Sequence, residues 1–162
     1  MPTVYLGLGS NIDPQENLGR ALKDLGSRFG ELESSSVYRS AAYGFDGDDF
    51  LNMVVRIETE LQPTEVHAEI ELIQRTAGRD RISRGYSSRT LDIDLLLFDD
   101  LIINEQPIRV PRSDVLRFGF VLGPLAEIAP ELLHPETNLS LREHWDQFDV
   151  AGHPLTRESV IL

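Results

Sequence analysis

Cysteine is absent from the 162 residues. Disulfides and thiolate metal sites are therefore excluded, and nothing points to an oxidising compartment. Positive charge is scarce, with 15 Lys and Arg against 27 Asp and Glu and a net charge of −12. An acidic surface of this kind repels nucleic acid and anionic lipid, so neither is expected as a partner. No stretch approaches the ~20 apolar residues of a membrane-spanning helix. The N-terminal MPTVYLGLGSN has no basic flank and only a short apolar run, which does not read as a signal peptide. A cytoplasmic location is expected. What remains is ordinary: 41% hydrophobic and 26% charged residues, without repeats or a linker. One domain spanning residues 1–162 is the expectation.

Periodicity orders the elements. Thr3–Leu8 is a short apolar strand that ends in GSN. Asn11 or Asp13 can cap a helix whose first turn holds Pro14, with Leu18, Leu22 and Leu25 as its apolar stripe. Leu32–Tyr38 reads as a strand, then Phe50–Glu60 as another, with Leu51, Met53, Val55 and Ile57 alternating with Asn52, Val54, Arg56 and Glu58. Pro63 opens a second helix that points Val66, Ile70 and Ile73 inward and stops at Gly78. Thr90–Phe98 is a strand, which Leu101–Ile103 continues after a turn at Asp99-Asp100. A last helix covers Phe120–Ala129, and Trp145 and Phe148 of the tail are expected to pack back on the sheet. The order strand, helix, strand, strand, helix, strand is α+β. It predicts a ferredoxin-like sandwich with a βαββαβ core, a mainly antiparallel sheet and helices on its faces.

Charge is reversed in one place. From Arg79 to Arg89 four arginines (Arg79, Arg81, Arg84, Arg89) face one acid, Asp80, a local net of +3. A small basic island on an acidic chain suits a small, highly charged anion. The strand RTLDIDLLLF follows it directly. Side chains alternate along a strand, so Leu91, Ile93, Leu95 and Leu97 share one face, and Asp92 and Asp94 the other, with Leu96 and Phe98. Two carboxylates about 7 Å apart at Cα repel each other, and a hard divalent cation relieves that repulsion. The alternative is a protonated or arginine-paired carboxylate at a strand end. Metal against phosphates, with guanidinium groups on the developing charge, is what phosphoryl-type transfer requires.

Other motifs carry less. GLGSN (Gly7–Asn11) begins like a dinucleotide fingerprint, but Ile12 takes the third glycine position. His67, His134, His144 and His153 lack ligand spacing, and FDGDD lacks the ligand count of a calcium loop. Tyr43, Phe50 and Phe120 are either core or a stacking slot for a flat heterocycle.

Taken together, GSN (Gly9–Asn11), VYRSAAYG (Val37–Gly44), FLNMVV (Phe50–Val55), GRDR (Gly78–Arg81), RTLDIDLLLF (Arg89–Phe98), Val110-Pro111 and GFVLGPLAEIAPEL (Gly119–Leu132) resemble the hydroxymethyl-dihydropterin pyrophosphokinases. The resemblance implies pyrophosphate transfer from ATP to the hydroxymethyl group of a reduced pterin, with two magnesium ions held by Asp92 and Asp94. It implies Arg79, Arg89 and Asp94 as catalytic residues, with Asp94 assisting loss of the hydroxyl proton. Pterin would meet Ser40, Ala41, Tyr43, Phe50, Asn52 and Phe120, and ATP would meet Gln74, Arg79, Arg81, Arg89, Arg109 and Arg112. A monomer acting on small molecules is expected. The chain departs from the family pattern in several places. Gln74 stands for a usual glutamate, Tyr86 for a tryptophan, Ser87-Ser88 for a glycine or alanine with proline, and Arg112 for a histidine. Phe118 stands for an arginine displaced to Arg117. A pterin- or nucleotide-binding paralogue with little catalysis is the alternative these departures suggest. An unrelated ferredoxin-like interaction module is a third.

Overall fold

The computed structural model describes residues 1–78, 91–160 and 162. Its main sheet has six strands: β1 (Thr3–Ser10), β2 (Glu33–Ser34), β3 (Val37–Ser40), β4 (Phe50–Glu58), β5 (Asp92–Phe98) and a late strand, Thr156–Glu158. The order across it is β5-β1-β4-β3 and then the late strand, while β2 also pairs with β4. Every pairing is antiparallel. This is the expected split β-α-β sandwich, widened by one C-terminal strand at its far edge.

The expected single strand Leu32–Tyr38 is two short ones. Ser34 pairs with Val55 and Tyr38 with Asn52, so one extra residue stands between β2 and β3. Ser35 marks that bulge. Its backbone N–H donates to Val54 O at 2.8 Å, and its Oγ accepts from Val54 N at 2.9 Å. A second bulge lies between Tyr5 and Leu6 on β1, where the register with β5 shifts by one residue. It corrects the expected facing of Leu97 and Phe98. Leu97 joins Leu96 in one core cluster, whereas Phe98 turns to the other with Ile93 and Leu95.

Helices α1 (Pro14–Phe29) and α2 (Pro63–Thr76) cover one face of the sheet. Their stripes, Leu18, Ala21 and Leu25 on α1 and Val66, Ile70 and Ile73 on α2, bury against Leu6, Leu8, Leu51, Met53 and Val55. The N-terminus of α1 corrects the capping expectation. Asp13 is in the left-handed region, φ 43°, and its side chain caps nothing. Asn11 instead donates from Nδ2 to Asp48 O at 3.1 Å, which ties the loop before β4 to the end of β1. Gly78, φ 83°, ends α2 as expected.

The opposite face is covered by α3 (Asp114–Arg117) and α4 (Gly119–Ile128). Val54, Leu96, Val121, Leu122 and Leu125 form a second core there. Central strands covered on both sides must be nearly continuously apolar, and FLNMVVRI in β4 is so except at Asn52 and at the half-buried Arg56 near its end. Trp145 and Phe148 correct another expectation. They stack on each other and pack along α4 rather than on the sheet: Trp145 closes on Gly123, and Phe148 with His153 on Gly119. Leu101–Ile103 does not continue β5. Asp99, φ 49°, turns the chain, and β6 (Ile103–Glu105) pairs with β7 (Ile108–Val110) as a separate hairpin.

Glu127 joins α4 to the far edge of the sheet. Its carboxylate accepts from Tyr38 OH at 2.7 Å and from Ser36 N and Oγ at 3.1 and 2.9 Å, and it pairs with Arg157. Burial raises the Tyr38 phenol, helped by Glu127, to about 12. Burial also works against the Glu127 carboxylate, but the bonds from Tyr38 and Ser36 and the charge of Arg157 outweigh it and hold Glu127 below its ordinary 4.5. A lowered carboxylate stabilises the fold above its unfolded value and loses that contribution as pH falls through its folded one. Glu127→Gln should therefore cost about 1–2 kcal/mol at pH 7, with the gap from wild type closing below pH ~4.5. Urea unfolding across that range measures it, and a gap independent of pH would contradict the assignment.

Candidate active site

The register of β1 puts the predicted residues side by side. Gly9 pairs with Asn52 on β4 and with Asp92 on β5, and Gly7 pairs with Val54 and Asp94. Directly opposed residues share a face, so Asn52, Gly9 and Asp92 form one row and Val54, Gly7 and Asp94 the next. Both rows lie on the α4 side. Two interstrand spacings separate Asn52 from Asp92, about 9–10 Å. The glycines keep the row low: a Cβ on Gly9 would stand 3.4 Å from Asn52 Oδ1 and 3.7 Å from Phe50 Cδ1, and one on Gly7 3.3 Å from Leu96. Their role was missed in the sequence, although the alternation in YLGLGS was its visible sign.

Asn52 is buried, and its orientation is fixed. Nδ2 donates to Ser40 Oγ at 2.8 Å and to Tyr38 O at 3.3 Å. Its Oδ1 is therefore turned over Gly9 as an acceptor. Of the other predicted pterin residues, Ser40 is buried through that bond, Ala41 is exposed, and Phe50 leans over Gly9 with Phe45 edge-on at 6.2 Å. Phe120, in the first turn of α4, belongs to a second aromatic group. It stacks on Phe118 at 4.9 Å and 18°, and Tyr43 meets Phe118 edge-on at 4.8 Å. Arg117 lies over Phe118 at 4.8 Å and donates to Tyr43 OH at 3.3 Å. Phe118, read in the sequence only as a replaced arginine, is the buried platform of this group.

Asp92 and Asp94 are half-buried on one face of β5, as expected. Among the described residues no three His, Cys, Asp or Glu side chains group as a metal cage. Two carboxylates with the remaining positions left to phosphate oxygens and water is how magnesium is ordinarily held, so the donor set fits that ion. Arg112 reaches this pair: its backbone N–H donates to Leu96 O at 2.9 Å, and its Nη2 lies 3.5 Å from Asp94 Oδ1. Arg109 is exposed on β7, beside β5. Arg79, Arg81 and Arg89 lie outside the described residues.

Gln74 departs from the expectation of a nucleotide contact. It is 1% exposed, and its Oε1 accepts from Ile93 N at 3.0 Å, between the two aspartates. Its Nε2 donates to Glu71 Oε1 at 3.2 Å. Strand β5 is an edge strand, and Gln74 satisfies one of the outward amides that such an edge leaves open.

Residues 5–130 match the family model described as 7,8-dihydro-6-hydroxymethylpterin-pyrophosphokinase. The chain is 38% identical over 143 residues to a 2-amino-4-hydroxy-6-hydroxymethyldihydropteridine pyrophosphokinase of Haemophilus influenzae, covering 86% of this chain and 89% of that one. Its identity to the Aquifex aeolicus enzyme of the same description is 38% over 147 residues, covering 88% and 90%. Among solved structures, Plasmodium falciparum HPPK-DHPS superposes with a TM-score of 0.72 at 15% identity. That match covers 91% of this chain but only 43% of the other, and it bears on the fold alone.

Removing the Gln74 acceptor leaves the Ile93 amide buried and unpaired, at a cost of about 1–3 kcal/mol. Gln74→Leu should lose that much in denaturant unfolding, while Gln74→Glu, which keeps an acceptor, should lose less. Equal losses would show that volume rather than the hydrogen bond decides.

Proposed function

The chain belongs to the 7,8-dihydro-6-hydroxymethylpterin-pyrophosphokinase family, and we propose that the Asn52–Gly9–Asp92 row is the floor on which its two substrates meet. The reaction transfers pyrophosphate from ATP to the hydroxymethyl group of 6-hydroxymethyl-7,8-dihydropterin in folate biosynthesis and leaves AMP. The relatives are described as pyrophosphokinases, which does not favour a paralogue that only binds.

The row carries the reading. Its length, about 9–10 Å from strand spacing, suits a bicyclic ring with a one-carbon arm. The Asn52 carbonyl oxygen accepts from the amino and ring N–H edge at one end, and the arm points toward Asp92 and Asp94 at the other. Phe50 and Phe120 stack on the ring, and Ser40, Ala41 and Tyr43 close its rim. Magnesium, two ions in this proposal, neutralises the ATP phosphates when bound through Asp92 and Asp94. Arg79 and Arg89 clamp the transferred group, and Arg81, Arg109 and Arg112 line the nucleotide side. Gln74 serves ATP indirectly, by holding the strand that carries the carboxylates.

As the hydroxymethyl oxygen attacks the β-phosphorus, its proton passes to an Asp94 carboxylate oxygen. The bond from that phosphorus to the oxygen of AMP breaks, and AMP leaves. Residues 1–162 act as one such domain, a cytoplasmic monomer whose partners are these small molecules.

Protein, Mg-ATP and the reduced pterin should yield AMP and no ADP. A lack of AMP at saturating substrates would overturn the reading. Asp94→Ala should lower kcat/KM by at least ~3 kcal/mol in transition-state terms, and a near-normal rate in that variant would contradict the metal assignment. Gly9→Val should raise the pterin KM with the melting temperature little changed, since its side chain rises between Asn52 and Asp92. An unaltered KM would remove the row from the pterin site.

A further inference from the structure

Arg112 is held in an unusual way. Its guanidinium lies between two carboxylates, with Nη2 3.5 Å from Asp94 Oδ1 and Nε 3.3 Å from Asp114 Oδ2. An arginine committed to a structural ion pair normally forms aligned bonds of ~2.7–2.9 Å, often two in parallel. Here both contacts are longer, and the buried Nε has no aligned hydrogen-bond partner. The anchoring is in the main chain instead, through Arg112 N to Leu96 O. Burial works against the charged guanidinium, but Asp94 and Asp114 outweigh it, and Asp92 adds to the same field, so the group stays charged. The side chain remains 40% exposed, which leaves it room to turn. The arrangement supplies positive charge to the aspartate pair without the geometry of a permanent bond.

We propose that Arg112 is an internal counter-cation of the Asp92/Asp94 pair, which it neutralises in the empty site and yields to the divalent ion on loading. Asp114 then keeps the displaced guanidinium beside the site through Nε, with the Nη donors turned to a nucleotide phosphate. Loading of the ion and capture of phosphate are thereby coupled through one side chain. The inference rests on the reading that Asp92 and Asp94 hold the metal. It predicts something that reading alone does not: a positive charge removed from the site should tighten metal binding in the absence of nucleotide.

The test is Mn2+ binding to the nucleotide-free protein, followed by calorimetry or by the electron paramagnetic resonance of the free ion. Arg112→Gln should bind Mn2+ roughly three- to tenfold tighter than wild type, the scale of one charge a few ångströms from a divalent ion. Its metal-free melting temperature should fall, and its gain in melting temperature on adding Mn2+ should exceed that of wild type. Arg112→Lys, which keeps the charge, should stay within about twofold of wild type. Arg112→Gln binding no tighter than wild type, or the lysine variant tightening as much as the glutamine variant, would overturn the exchange. Asp94→Ala separates the two claims. Unchanged Mn2+ binding in that variant refutes the metal reading itself, whereas weakened binding there with an unaffected Arg112→Gln refutes only this inference.

Discussion

The register of β1 is the constraint from which the site follows. One strand pairs with β4 on one side and β5 on the other, and Gly9 is the common partner of Asn52 and Asp92. A slip of one residue would turn either pairing to the opposite face. Asn52 would then be under α1 and α2, or the carboxylates would be in the core with Ile93 and Leu95. The hydrophobic pattern forbids such a slip, because Leu6, Leu8, Met53, Val55 and Ile93 would lose their burial together. At ~1.5–3 kcal/mol per large buried side chain, the core holds Asn52 and Asp92 in alignment far more firmly than any polar contact within the site could.

Polar groups inside that framework each hold a part that the apolar packing leaves loose. Asn52 uses its amide nitrogen on Tyr38 and Ser40 and keeps its oxygen for the site. Gln74 satisfies an edge amide of β5 from α2. Glu127 fastens α4 to the bulged edge of the sheet. Arg112 differs from these three. They make aligned hydrogen bonds and are permanent parts of the fold, whereas the contacts of its guanidinium with Asp94 and Asp114 are electrostatic. Among the described residues, Arg112 faces Asp94 through a 3.5 Å contact rather than an aligned bond.

Much of this was legible in the sequence because strand and helix periods carry face information. Alternation in RTLDIDLLLF put Asp92 and Asp94 on one face, and the stripes Leu18–Leu25 and Val66–Ile73 identified the packed sides of α1 and α2. What failed were local departures from period. An extra residue near Leu96 exchanged the faces of Leu97 and Phe98, and nothing in a run of leucines marks such a bulge. Gln74 stands four residues after Ile70, on the apolar stripe of α2, and a polar residue there signals a buried hydrogen bond more than a ligand contact. Phe118 was read against the family pattern and so its own stacking was overlooked. Trp145 and Phe148 found α4 because Gly119 and Gly123 leave a flat surface there, which composition alone does not reveal.

The bulge opposite Tyr5 and Leu6 divides β5 into two halves of independent phase. Upstream of it the strand answers to the chemistry, with Asp92 and Asp94 aligned to the glycines of β1. Downstream, Leu96 and Leu97 together feed the core under α4, and Phe98 returns to the other side. The extra residue acts as a phase joint. The packing of α4 can drift over generations without any compensating change in the half that carries Asp92 and Asp94, and the spacing between the two aspartates can stay fixed while the architecture beyond them is rebuilt.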